Sequence, residues 1–150
     1  MSAEASSEQL DRRRERPRRR TMAASERAAI ALGGAAGAYA RVLVDQLVGP
    51  AGGGWPWATF SVNVAGAFLL GYFTARLLER LPPSTYRRPM LVTGFCGALT
   101  TFSTLQLELF DLLRSGHYLL ATAYATASAI AGLTALLGAI WLVRRARVRP

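Results

Sequence analysis

The sequence predicts an all-α integral membrane protein with four transmembrane helices. Apolar residues make up 51% of the 150-residue chain, and they gather into four blocks at 28–48, 57–78, 90–113 and 118–143. Each block is about 20 residues long, enough to cross a bilayer. A soluble four-helix bundle would carry polar residues at helical spacing along every helix, and these blocks carry almost none. The segments between them are short, so the chemistry must lie within the membrane. The predicted organisation is a disordered Arg-rich tail over 1–26, a four-span domain over 27–145 and a basic C-terminal tail over 146–150.

The formal net charge is +9, and all eighteen basic residues are arginine. A charge of this size suggests nucleic acid, but its placement points elsewhere. Sixteen of the eighteen arginines lie within 12–27, 76–88 and 144–149. With four spans these segments share one face of the membrane, and the positive-inside rule makes that face cytoplasmic, with both termini on it. The tail is expected to lie against anionic lipid headgroups. A basic segment, an apolar run and Ala38-Tyr39-Ala40 also imitate a secretory signal. Cleavage there would discard half a span, because the apolar run continues to Val48.

The first span carries Gly33, Gly34 and Gly37, small residues that let another helix approach closely. Arg41 follows. It either snorkels to the headgroups beside Asp45 or places a fixed positive charge at a vestibule that concentrates anions. Residues 49–54 form a linker, and Trp55 and Trp57 mark the membrane interface. In the second span Asn63 is a buried carboxamide that must find partners inside the protein. Gly66 and Gly71 read as packing positions.

The third span contains Gly-Phe-Cys-Gly-Ala-Leu-Thr-Thr-Phe-Ser-Thr at 94–104, with two glycines and then four hydroxyls in five residues. The helix is expected to break here. In hydrocarbon such a break is tolerated only where protein or a water-filled path receives the freed backbone groups. The rival reading is a helix with a small-residue packing face whose hydroxyls bond back one turn. Glu108 is the deepest acid and is expected to be hydrogen-bonded, protonated or turned towards a neighbouring helix. In the fourth span Tyr124 and Ser128 share a face and form either a polar stripe or weakly polar packing. Cys96 reads as a small packing residue, and lone His117 offers no metal set. No phosphate loop or catalytic set is visible, so the chain is not expected to be an enzyme.

Taken in order, Gly33-Gly-Ala-Ala-Gly-Ala-Tyr-Ala-Arg41, Thr59-Phe-Ser-Val-Asn63-Val-Ala-Gly66 and the 94–104 stretch resemble the Fluc (CrcB) family of bacterial fluoride channels. The resemblance spans roughly 27–144. It implies an antiparallel dual-topology dimer with two fluoride pores at its interface and a structural sodium ion at its centre. Carried over residue by residue, the sodium would be held by the backbone carbonyls of Gly97 and Thr100. The fluoride path would use Asn63, Phe102, Ser103 and Thr104, the Tyr124 and Ser128 track, and Arg41 at the vestibule. Asn63 and the hydroxyls supply donors to a strongly hydrated anion, and the edge of Phe102 adds a weak attraction.

The chain departs from the family pattern in two ways. Leu105 stands where the family has a second phenylalanine, and the arginine bias favours one insertion orientation over two. Both favour pairing with an oppositely inserted homologue, with one pore degenerate; the alternative is an ordinary homodimer. The implied function is passive fluoride export, in which HF entering the cell dissociates and the membrane potential drives the anion out. A non-conducting assembly subunit is the rival from another class. A small multidrug exporter would need an acid deep in the first span, where this chain has Arg41.

Overall fold

The structure is a computed structural model that describes residues 23–49, 52, 54–79, 84 and 86–146. Most of the 1–26 tail and nearly all of 146–150 lie outside the described residues. Among those described, the chain is all-helical: α1 (Ala24–Val48), α2 (Trp57–Glu79), a π-helical segment (Pro89–Cys96), α3 (Gly97–Leu99), α4 (Phe102–Arg114) and α5 (Tyr118–Arg145). Four stretches are long and apolar enough to cross a membrane: Ala24–Val48, Trp57–Leu77, Pro89–Arg114 and Tyr118–Arg145. The third comprises the π-helical segment, α3 and α4. α1 begins three residues before the expected boundary at Arg27, because Ala24, Ser25 and Glu26 extend the helix and Glu26 lies in the favourable first turn.

Two close helix pairings build the bundle. α1 packs along the π-helical segment and α3, while α2 packs along α5. Glycine decides the first pairing. A Cβ on Gly33 would strike the Met90 carbonyl oxygen, and one on Gly37 would strike that of Phe95. From the other side, a Cβ on Gly94 would lie 2.5 Å from the Ile30 oxygen. Only bare backbone fits at these three points, and close backbone approach is how helices associate where lipid removes the hydrophobic drive. The second pairing uses Gly71, whose Cβ would lie 2.5 Å from the Leu136 oxygen.

Turns close the spans by ordinary capping. At the α4–α5 hairpin Gly116 takes φ 79°, a conformation that suits glycine, and the His117 N–H donates to the Leu112 carbonyl at 2.9 Å. Pro89 opens the π-helical segment, where a missing N–H costs nothing. Large apolar side chains such as Leu32, Leu47 and Leu107 are well exposed on the outer surface. In water this would be a liability, but for a chain with four spans it is the surface that lipid or another subunit covers.

Candidate functional site

The third span breaks where its hydroxyls are, not at its glycines. Gly94 lies in the π-helical segment and Gly97 in α3, whereas Thr100 (φ −78°, ψ 147°) and Thr101 (φ −140°, ψ 110°) are extended. The glycines serve packing and open space. Two consecutive β-branched residues carry the extended step, a backbone region they favour. π-helical turns commonly mark functional points, and here one leads directly into the break.

α2 repairs the break. The Asn63 Oδ1 accepts from the Thr101 N–H at 2.8 Å, and its Nδ2 donates to the Thr101 carbonyl at 3.1 Å. One carboxamide thus replaces the lost helical partner of the N–H and adds a second donor to the N-cap carbonyl, in a residue that is only 5% exposed. Since a carboxamide nitrogen has two hydrogens, the second N–H of Asn63 remains available. One turn along α2, Gly66 makes room for the Thr100 methyl group, which a Cβ there would strike.

Thr101 also starts the next helix. Its hydroxyl accepts from the Thr104 N–H at 3.2 Å and pairs with the Thr104 hydroxyl at 2.8 Å, the arrangement of a Thr N-cap. On the other side of the break both the N–H and the hydroxyl of Thr100 donate to the Cys96 carbonyl, at 3.1 and 2.9 Å. In an unbroken helix the Thr101 N–H would donate to the Gly97 carbonyl. Its commitment to Asn63 withdraws that donor, and Gly97 is exposed with open space where a side chain would stand.

A second polar cluster joins α2, α4 and α5. The Thr59 hydroxyl donates to Glu108 Oε1 at 2.6 Å, and the Tyr124 hydroxyl donates to Oε2 at 2.7 Å. Thr59 and Tyr124 are buried at 2% and 0% exposure. Glu108 is therefore hydrogen-bonded and turned towards two neighbouring helices, as expected of the deepest acid in the span. Thr59 and Asn63 stand one turn apart on α2, as do Thr104 and Glu108 on α4 and Tyr124 and Ser128 on α5, so three helix faces share one polar seam.

The expected site residues divide into three groups. Asn63, Thr100, Thr104, Tyr124 and Ser128 line or adjoin the seam; Tyr124 is enclosed and committed to Glu108, and the Ser128 hydroxyl oxygen is buried with no partner among the described residues. Phe102 and Ser103 are exposed on the outer face of α4, Phe102 at 72%, and Gly97 is exposed in α3. Arg41 is half-buried in α1. Leu105 packs with Leu109 and Leu120 against Leu112, Ala121 and Tyr124, so it faces the subunit's own core while Phe102 faces outward. Cys96 is buried at 2%, as a packing residue. Among the described residues no group of three or more His, Cys, Asp or Glu could hold a metal ion.

Sequence reasoning missed Thr59 and Thr101 as site residues. Thr101 was legible as a hydroxyl three residues before Thr104, the spacing of an N-cap. Thr59 had only its i−4 relation to Asn63.

Fold and seam together define a multi-pass membrane protein whose broken third span is spliced by an asparagine from the second. A family model described as CrcB-like protein, Camphor Resistance (CrcB), matches residues 28–140. The fluoride-specific ion channel FluC 1 of Mycobacterium bovis is 56% identical over 124 residues, covering 83% of this chain and 94% of that protein. The fluoride-specific ion channel FluC of Chlorobaculum tepidum is 41% identical over 115 residues, covering 77% and 91%. The chain belongs to the CrcB family.

Proposed function

We propose that this chain is a subunit of a fluoride-specific channel that lowers cytoplasmic fluoride by passive flow. The observation that carries the reading is the Asn63–Thr101 splice, which supports a rigid helix break beside hydrogen-bond donors, in a chain 56% identical to a protein named a fluoride-specific ion channel. Fluoride leaves water only for close donors. The spare N–H of Asn63 and the partnerless Ser128 hydroxyl are such donors, and the Phe102 ring edge adds a weak attraction.

The functional unit is an antiparallel dimer with a pore on each side of its interface. Ser103 and Gln106 are exposed on a membrane-spanning helix, beside Phe102 and Phe110. Polar side chains facing lipid are costly, so a second subunit is the fitting cover for this face. A central sodium ion suits the Gly97 carbonyl, whose helical donor is withdrawn, together with the Thr100 carbonyl on the extended step. When bound, sodium would neutralise carbonyl dipoles that meet at the dimer centre. Arg41 would raise the local concentration of anions at the vestibule, and both termini of the subunit inserted as its arginines favour would be cytoplasmic, those of its antiparallel partner lying on the other face.

A second reading differs only in the partner: an oppositely inserted homologue in place of a second copy. The placement of sixteen of eighteen arginines on one face favours it. Efflux from liposomes containing only this protein, read with a fluoride electrode against a chloride control, tests both. Fluoride-selective efflux abolished by Asn63→Ala supports the homodimer. Silence that ends on co-reconstitution with a homologue supports the heterodimer, and silence in both overturns the channel reading.

A further inference from the structure

Besides the Ser128 hydroxyl, one other buried side-chain polar atom has no protein partner among the described residues: Trp55 Nε1. The sequence places Trp55 at the membrane interface with Trp57, but the two part company. Trp57 is 59% exposed, whereas Trp55 tucks inward against the polar seam. Its ring meets Tyr124 edge-on (centroids 5.4 Å apart, 79°) and Phe60 likewise (5.6 Å, 76°), and lies 5.7 Å from Trp57. It therefore sits beside the Thr59–Glu108–Tyr124 cluster, at the end of the bundle opposite the chain termini.

Buried donors in native proteins find acceptors, and an indole nitrogen can only donate. The Trp55 partner must therefore be an acceptor. No acceptor atom among the described residues, Glu108 included, lies within hydrogen-bond distance of Trp55 Nε1, and the surrounding rings of Phe60, Trp57 and Tyr124 offer no lone pair within the ring. What remains is a small acceptor from outside the chain, beside the aromatic rings that pack on Trp55. Such surroundings suit an anion, because ring edges carry partial positive charge.

We propose that the Trp55 indole N–H is a further anion contact, holding fluoride at the end of the pathway opposite the termini after it has passed Asn63. This rests on the channel reading above. Trp55→Phe keeps an aromatic ring at this position while removing the N–H donor together with part of the indole. The loss of one charge-assisted hydrogen bond is expected to lower the fluoride efflux rate by about tenfold or more, with chloride leak unchanged. The second readout needs no conduction: in a protein carrying Trp57→Phe and Trp141→Phe, Trp55 is the sole indole, and sodium fluoride should shift its emission saturably while sodium chloride does not. Wild-type silence in liposomes would count against the channel reading alone, and the emission titration would still decide the Trp55 contact. Wild-type efflux rates in Trp55→Phe, or an emission indifferent to fluoride, would overturn the proposal and assign the N–H to water or a ring face.

Discussion

Asn63→Ala removes the two hydrogen bonds that splice the third span and leaves the Thr101 N–H without a partner in a residue that is 5% exposed, while the Thr101 carbonyl, at the N-cap of α4, keeps the first helical bond. An orphaned buried backbone group of this kind costs about 1–3 kcal/mol. Interhelical hydrogen bonds in membranes average only about 0.6 kcal/mol, because the unfolded chain in lipid also finds partners. That average comes from side-chain pairs which can re-pair, whereas the Thr101 N–H sits at an extended step with no helical alternative. The desolvation term therefore dominates, and about 1–3 kcal/mol is expected. The Thr104 cap on Thr101 survives, so α4 should persist while the break loosens. Reversible unfolding in mixed detergent micelles measures the loss, with exposed Ser61→Ala on the same helix as a control expected to stay within about 0.5 kcal/mol. An Asn63→Ala protein that unfolds like wild type and still passes fluoride would refute the splice.

Glu108→Gln leaves one of Thr59 and Tyr124 facing an amide nitrogen that cannot accept, and should cost about 1–3 kcal/mol in the same unfolding assay. In a double-mutant cycle with Thr59→Val, that loss should be strongly non-additive. Gly37→Val drives a side chain into the Phe95 carbonyl and should abolish monodisperse protein on size exclusion. Gly132→Ala and Gly138→Ala meet open space, so each should be neutral or stabilise α5 by up to about 1 kcal/mol in thermal unfolding. Phe102→Ala, on an exposed ring outside the subunit core, should leave unfolding unchanged while lowering fluoride efflux; equal loss of both would remove it from the pore.

The four spans were legible in the sequence because crossing a bilayer demands about 20 apolar residues whatever the packing, and that demand is written locally. The same holds for the need of Asn63 and Glu108 to find partners, since a polar group in a span must be satisfied somewhere. Which partner each found was decided by tertiary structure. Asn63 meets Thr101 across 38 positions, and Glu108 meets Thr59 across 49, separations that carry no sequence period. The position of the break followed the same logic. Glycine is the residue that local propensity nominates, but Gly94 was needed bare against α1, and the extended step fell to Thr100 and Thr101, where Asn63 could receive the freed backbone groups. Leu105 likewise turned towards Tyr124 and the subunit's own core, a direction set by the pairing of α4 with α5. Composition and spacing determined what had to be buried and satisfied; only the packed bundle determined by which residue, because those contacts arise between helices.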